Sequence, residues 1–187
     1  MKIQDPPFAQ ALFSDTRYAW IWLIVRLYVG WQWLSEGIEK AQSPFWTGAQ
    51  SGLFLEKWVT FALTKSQGAH PDVQWWYAAF LKSAVLPYAT FWSYAVTYGE
   101  ILVGIGLIIG LFTGIAAFFG TVMNGSYLLA GTVSVNPILF ALASLIVLAW
   151  KTAGWYGLDR WVLTRLGTPW QRSEAAQNLG ATRTASS

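Results

Sequence analysis

Tyr94-Ala-Val-Thr-Tyr-Gly-Glu100-Ile-Leu-Val-Gly-Ile-Gly-Leu-Ile-Ile-Gly110 is an apolar run that holds a single carboxylate near its middle. A charge at the centre of a membrane helix costs about 2.5–3.5 kcal/mol on insertion scales, so Glu100 must be compensated or used. The first apolar run repeats the oddity with opposite sign. Arg26 lies inside Tyr18-Ala-Trp-Ile-Trp-Leu-Ile-Val-Arg26-Leu-Tyr-Val-Gly-Trp-Gln-Trp-Leu34. Both charges fall near the midplane of their runs at the 1.5 Å rise of a helix. They are expected to pair, directly or through water, as the polar centre of a membrane bundle.

Composition agrees. The 187 residues are 55% hydrophobic and 11% charged, where a soluble domain carries about 25% charged residues. That balance predicts an integral membrane protein. Thirteen tryptophans are present, and Trp20, Trp22, Trp92, Trp150, Trp155 and Trp161 stand where apolar and polar segments meet. This is the placing of an aromatic belt at headgroup level. Cysteine is absent, which excludes disulfides, a thiolate nucleophile and iron–sulfur ligation. One histidine (His70) and two methionines cannot form a bis-histidine haem site, so no haem or other metal is expected in this chain. A net charge of +3, dispersed along the chain, excludes nucleic acid as a partner.

Turn signals divide the chain into four expected spans, at about 18–37, 91–111, 114–129 and 137–150. The third and fourth are short for a full crossing. The fold class expected is an all-α integral membrane four-helix bundle, with a helical insertion at 41–90 outside the cytoplasm. Residues 1–17 form an N-terminal segment, 18–166 the membrane domain and 167–187 a flexible tail. Lys2 and Arg17 precede the bundle, and Lys151, Arg160, Arg165 and Arg172 follow it. The positive-inside rule then puts both termini in the cytoplasm of a prokaryotic cell, in its plasma membrane. Within the insertion two helices are expected. One, at 53–63, turns Phe54, Trp58, Phe61 and Ala62 to one face; the other begins at Asp72 as its N-cap. Neither is long enough to span, and both should lie in the interface or cap the bundle.

Polar residues recur at helical spacing in three of the spans. Arg26, Gly30, Trp33, Gly37 and Lys40 share one face, with Glu36 at its edge. Ser93, Thr97, Glu100 and Gly104 form a second stripe, and Gly120, Asn124, Tyr127 and Gly131 a third. Gly106 and Gly110 offer a small-residue packing contact. Asp159-Arg160 is expected as an interfacial turn with a local ion pair.

These motifs together resemble the DoxX/DoxD family of membrane proteins. The resemblance rests on Arg26, Gly30, Gly37 and Lys40 in the first span, on Gly99-Glu100-Ile-Leu-Val-Gly-Ile-Gly-Leu-Ile-Ile-Gly-Leu-Phe-Thr113, and on the closing Gly157-Leu-Asp159-Arg160. It extends over about residues 17–166. Trp75-Trp-Tyr-Ala-Ala-Phe-Leu81 is similar to the DoxD branch, the large subunit of thiosulfate:quinone oxidoreductase. The resemblance implies an enzyme that joins two thiosulfates into tetrathionate and passes two electrons to a quinone, with no flavin of its own. It also implies a small DoxA-like partner subunit. In that setting Glu100 and Arg26 are the expected catalytic residues. Lys40, Arg26, Trp33 and Asn124 are the expected substrate-binding residues, the two cations for the dianion and Trp33 for the quinone ring. Glu100 would exchange protons with the quinone. Two other readings fit the same residues: a non-enzymatic accessory subunit of a larger respiratory or photosynthetic complex, and a small anion transporter.

Overall fold

Helices account for about three-quarters of the backbone in the computed structural model, which describes residues 5–167, and no strand occurs among them. The tail expected from 167 onward lies, but for Gly167, outside the described residues. α1 (Pro7–Ser14) opens on a proline whose fixed φ suits a first turn. Asp15 then caps a short 3₁₀ turn, accepting from Arg17 N at 2.9 Å. The Arg17 guanidinium beside it holds that carboxyl below its usual range. The contact is therefore complete at neutral pH and is lost as acid titrates Asp15. α1 is more than a leading segment, because Phe13 stacks on Trp22 at 5.6 Å and Trp22 Nε1 donates to Leu12 O at 2.8 Å.

α2 (Ala19–Gln42) buries Ala19, Trp22, Arg26, Val29, Gly30, Trp33 and Gly37, the face that the helical spacing predicts. α3 (Leu53–Thr64) follows, close to the expected range, but it buries Leu55, Val59 and Ala62. Phe54 and Phe61, expected on the inner face, point outward. The inner face is one residue further round the wheel, where branched side chains fit the crowded contact.

The second insertion helix is a larger correction. α4 (Trp75–Phe80) starts after Gln74, so Asp72 is not its N-cap. It then continues through a π turn at Leu81–Val85 and a 3₁₀ turn at Leu86–Tyr88 into α5 (Ala89–Ile109). Pro87 lacks the N–H that a regular α-helix needs, and the chain accommodates this by local rewinding instead of stopping. Trp92 Nε1 donates to Ala84 O at 2.8 Å within this rewound stretch. The product is one helix over Trp75–Ile109, 35 residues long. At 1.5 Å per residue it spans about 50 Å, well beyond the ~30 Å of bilayer hydrocarbon.

Gly110 ends α5 at φ +66°, a left-handed conformation that glycine adopts without strain, and it is also a close packing contact, since a Cβ there would stand 2.8 Å from Gly157 Cα. After it come α6 (Thr113–Leu129), α7 (Asn136–Leu148) with Pro137 in its first turn, α8 (Trp150–Ala153) and α9 (Asp159–Arg165).

α2 lies along α5, and α6 along both α5 and α7. Backbone meets backbone where α2 crosses α5: a Cβ on Gly104 would stand 2.6 Å from Leu34 N. Trp22, Val29, Trp33, Val103, Leu107, Ala117 and Ala143 fill the space between these helices. A second core, built on Leu55, Val59, Tyr77, Leu81 and Ala130, closes the end that carries the insertion. Among the described residues one helix, Trp75–Ile109, is by itself long and apolar enough to cross a membrane; α7 is a shorter apolar helix. α2 has the length but carries Arg26, Glu36, Glu39 and Lys40. α6 and α7, with 17 and 13 residues, measure about 25 and 20 Å.

Candidate functional site

Each helix that lines the centre contributes from the stripe its sequence marks. α5 buries Ser93, Thr97, Glu100 and Gly104; α6 buries Gly120 and Asn124 with Tyr127 one turn on; α2 brings Trp33, Gly37 and Lys40. Glu100 is 1% exposed. Its Oε1 accepts from the Tyr127 hydroxyl at 2.6 Å, and its Oε2 lies 2.8 Å from Lys40 Nζ. Lys40 also reaches Glu36 Oε2 at 3.3 Å, one turn back on α2, and lies over the Trp46 ring at 5.4 Å. Gly37 lets this happen: its missing Cβ leaves room for Ile101 and Glu100, which would otherwise be 2.7–3.1 Å away. Desolvating a carboxylate and an ammonium costs several kcal/mol per ion, and here each offsets the other only because the geometry is close.

Around this ion pair stand polar atoms that the protein leaves without hydrogen-bond partners among the described residues. They are Trp33 Nε1, Thr97 Oγ1, and both Nδ2 and Oδ1 of Asn124, all buried. Thr97 is one turn from Glu100, and Asn124 is one turn from Gly120, where a Cβ would stand 3.1 Å from Trp33 Nε1. Trp33 and Tyr127 hold their rings 6.5 Å apart, and Trp58 meets Tyr127 edge-on at 6.0 Å. Buried polar atoms of this kind normally bond to water or ligand. Glu100, Tyr127 and Trp33 thus bring a carboxylate, a phenol and an indole N–H together, with the Thr97 hydroxyl and the Asn124 amide one turn away on α5 and α6.

Arg26 is elsewhere. Its guanidinium donates to the carbonyls of Leu107, Ile108 (2.7 Å) and Tyr156 (2.7 Å). The Leu107 and Ile108 carbonyls lie seven and eight residues beyond Glu100, about 10–12 Å along the helix. The expected Arg26–Glu100 pair does not form. Arg26 instead satisfies carbonyls that the end of α5 leaves open. Asp159 completes the same junction: it is fully buried and accepts from Phe112 N (2.6 Å) and Thr113 N (2.9 Å), the first amides of α6. Leu158 N and Asp159 N return bonds to Ile109 O and Gly110 O. Asp159 is thus no interfacial ion pair with Arg160, which stacks on Trp155 instead.

The sequence stripes bring Glu100, Lys40, Trp33 and Asn124 to one region, and exclude Arg26 from it. Tyr127 was legible as part of a polar stripe but not as the partner of Glu100. Glu36 was legible as four residues before Lys40, the spacing of a helical ion pair. His70 lies in an exposed loop.

No curated protein and no solved structure matches this chain. The DoxX family model matches residues 21–132, well over half of the chain. The matched stretch runs from α2 to just past α6 and contains Glu36, Lys40, Glu100, Asn124 and Tyr127; α7 and the Gly157–Arg160 turn lie beyond it. The chain belongs to the DoxX family of membrane proteins.

Proposed function

We propose that the chain is the membrane subunit of a thiosulfate:quinone oxidoreductase, and that its buried cluster supplies protons to the quinone. The observation that carries this reading is the Lys40–Glu100–Tyr127 constellation, set beside polar atoms that lack protein partners. Overall, two thiosulfates lose one electron each and join through a new S–S bond as tetrathionate. The two electrons, with two protons, convert quinone to quinol. Trp33 Nε1, the Thr97 hydroxyl and the Asn124 amide are donors suited to quinone carbonyl oxygens. Tyr127, backed by Glu100, is the group that gives up a proton there.

The sulfur chemistry belongs elsewhere. Lys40 stands between two carboxylates, so Glu36, Lys40 and Glu100 together carry a formal negative charge that repels a dianion. Arg26 spends its donors on backbone carbonyls. A small partner subunit of the DoxA kind is the natural site for the anion. The same repulsion weighs against anion transport.

In this reading α2, Trp75–Ile109, α6 and α7 with α8 cross the plasma membrane of a prokaryote, and both termini face the cytoplasm. Support comes from α1, which packs against α8, so the segments before α2 and after α7 meet at one end of the bundle. Outward Ile24 and Trp31 on α2, Leu102 on α5, Phe118 and Phe119 on α6 and Leu148 on α7 give the long helices apolar outer faces as well as apolar inner ones.

The test is purified protein, with whatever subunits accompany it, assayed for quinol formation on addition of thiosulfate. The reading expects quinol and tetrathionate in equal amounts. No quinol formation from a preparation that contains its partner contradicts it. An accessory role is the second reading, favoured by the outward Trp75 (79% exposed) and Tyr88 (64%). Recovery of the chain in a fixed ratio with a large cofactor-bearing complex, which keeps full activity with Glu100→Gln, would establish that role.

A further inference from the structure

We infer that Glu36 is the port of a one-sided proton path, Glu36–Lys40–Glu100–Tyr127, open at the insertion end of the bundle and closed toward the Arg26 end. The inference rests on the reading of Glu100 as a proton donor and adds how, and from which side, its protons arrive.

Three observations support it. The four side chains are contiguous: Glu36 Oε2 to Lys40 Nζ is 3.3 Å, Lys40 Nζ to Glu100 Oε2 is 2.8 Å, and Tyr127 Oη to Glu100 Oε1 is 2.6 Å. Exposure falls steadily along the line, from 63% at the Glu36 side chain to 16% at Lys40 and 1% at Glu100. The far side is sealed. Below the cluster, Val29, Val103, Leu107 and Ala117 pack together at 0–4% exposure. The next charged group beyond them is Arg26, whose guanidinium is held by carbonyls.

A static salt bridge needs only one carboxylate for its ammonium. Here the ammonium lies within reach of two, one exposed and one buried, and an exposed pair such as Glu36–Lys40 adds little stability. The groups facing Glu100 are Lys40 and Glu36 from α2 and Tyr127 from α6. Tyr77, from the start of the long helix, bonds to Ser126 O beside Tyr127, and α3 presents the Trp58 ring.

The transfers balance without electrons. The Glu36 carboxylate takes a proton from hydronium in the bulk; Lys40 gives its own proton to Glu100 Oε2, and the amine it becomes takes the one held by Glu36, which returns to carboxylate. A half-turn of the Glu100 carboxyl presents that proton to Tyr127, whose own hydroxyl proton passes inward. One proton enters at Glu36 for each that leaves at Tyr127.

The experiment uses the full chain in lipid vesicles, with its orientation read from the labelling of Ala69→Cys. A pH jump is applied on one side while the carboxyl stretching band of Glu100, identified by its loss in Glu100→Gln, is followed in time. No thiosulfate or quinone is added. A jump on the insertion side should move the band promptly in the native protein. Glu36→Gln should slow that response about 100-fold, within the range by which positioned proton-transfer groups act, and Glu36→Asp should recover most of it. A jump on the opposite side should leave the band unmoved over the same interval. Native-rate exchange in Glu36→Gln, or equal response from both sides, overturns the path. If exchange depends on Glu36 but the protein with its partner makes no quinol, the path stands and the proposed reaction falls. If quinol forms and Glu36→Gln exchanges at the native rate, only the path falls.

Discussion

Lys40 and Arg26 are both cations drawn into an apolar bundle, yet their partners assign them different work. Lys40 sits on a carboxylate that has no other cation, so Lys40→Met leaves Glu100 buried and unpaired. A loss of about 3–5 kcal/mol in denaturant unfolding is expected, the usual cost of removing one partner of a buried pair. Combining it with Glu100→Gln should restore most of that loss, because the double variant has no stranded charge. Additive losses would show that the two groups are not coupled. Arg26 closes the end of α5 and faces the field of Asp159. Arg26→Met should also cost about 3–5 kcal/mol. Arg26→Lys should recover only part of it, since one ammonium cannot reach three carbonyls in the fixed fork of a guanidinium. Full recovery by lysine would contradict the clasp. The charges themselves were plain in the sequence. Their partners were not, because Tyr156 O and Leu107 O are brought to Arg26 from 130 and 81 residues away. Carbonyls carry no side-chain signature from which such a contact is read.

At the scale of elements, the inner faces of α2, α5 and α6 followed directly from 3.6-residue spacing. What spacing does not convey is how close two helices come. Gly104 decides this for α2 and α5, because a Cβ there would stand 2.6–2.7 Å from the Leu34 backbone. Gly104→Ala should push the helices apart and lower stability by about 1–3 kcal/mol, as overpacking does elsewhere, measured as the midpoint of unfolding in detergent. An unchanged midpoint would mean that the crossing is looser than its geometry. The join between the insertion, expected to end at residue 90, and α5 runs through Pro87. Proline in an apolar run reads as a break, but a π turn at Leu81–Val85 carries the helix past it. Asp72, read as an N-cap, stands two residues before the true cap at Gln74, within the error to which boundary signals are subject.

For the whole molecule, family membership and the all-α fold were legible from composition and motif order, whereas the count of crossings depends on α6 and α7, which by themselves are shorter than the hydrocarbon is thick. Topology is directly testable because the chain has no cysteine. Single cysteines at Ser14 and Leu166 should be labelled by an impermeant reagent from one face, and Ala69→Cys from the other. Labelling of all three from one face would rule out the odd numbers of crossings, one before and three after, that this topology places on either side of the insertion. The central claim, that the buried carboxylate of Glu100 feeds protons to a bound quinone, meets its most direct test in one rate. Thiosulfate-dependent quinol formation by the complete complex should fall about 100-fold or more in Glu100→Gln, with helical content unchanged. Undiminished turnover in that variant would contradict the account.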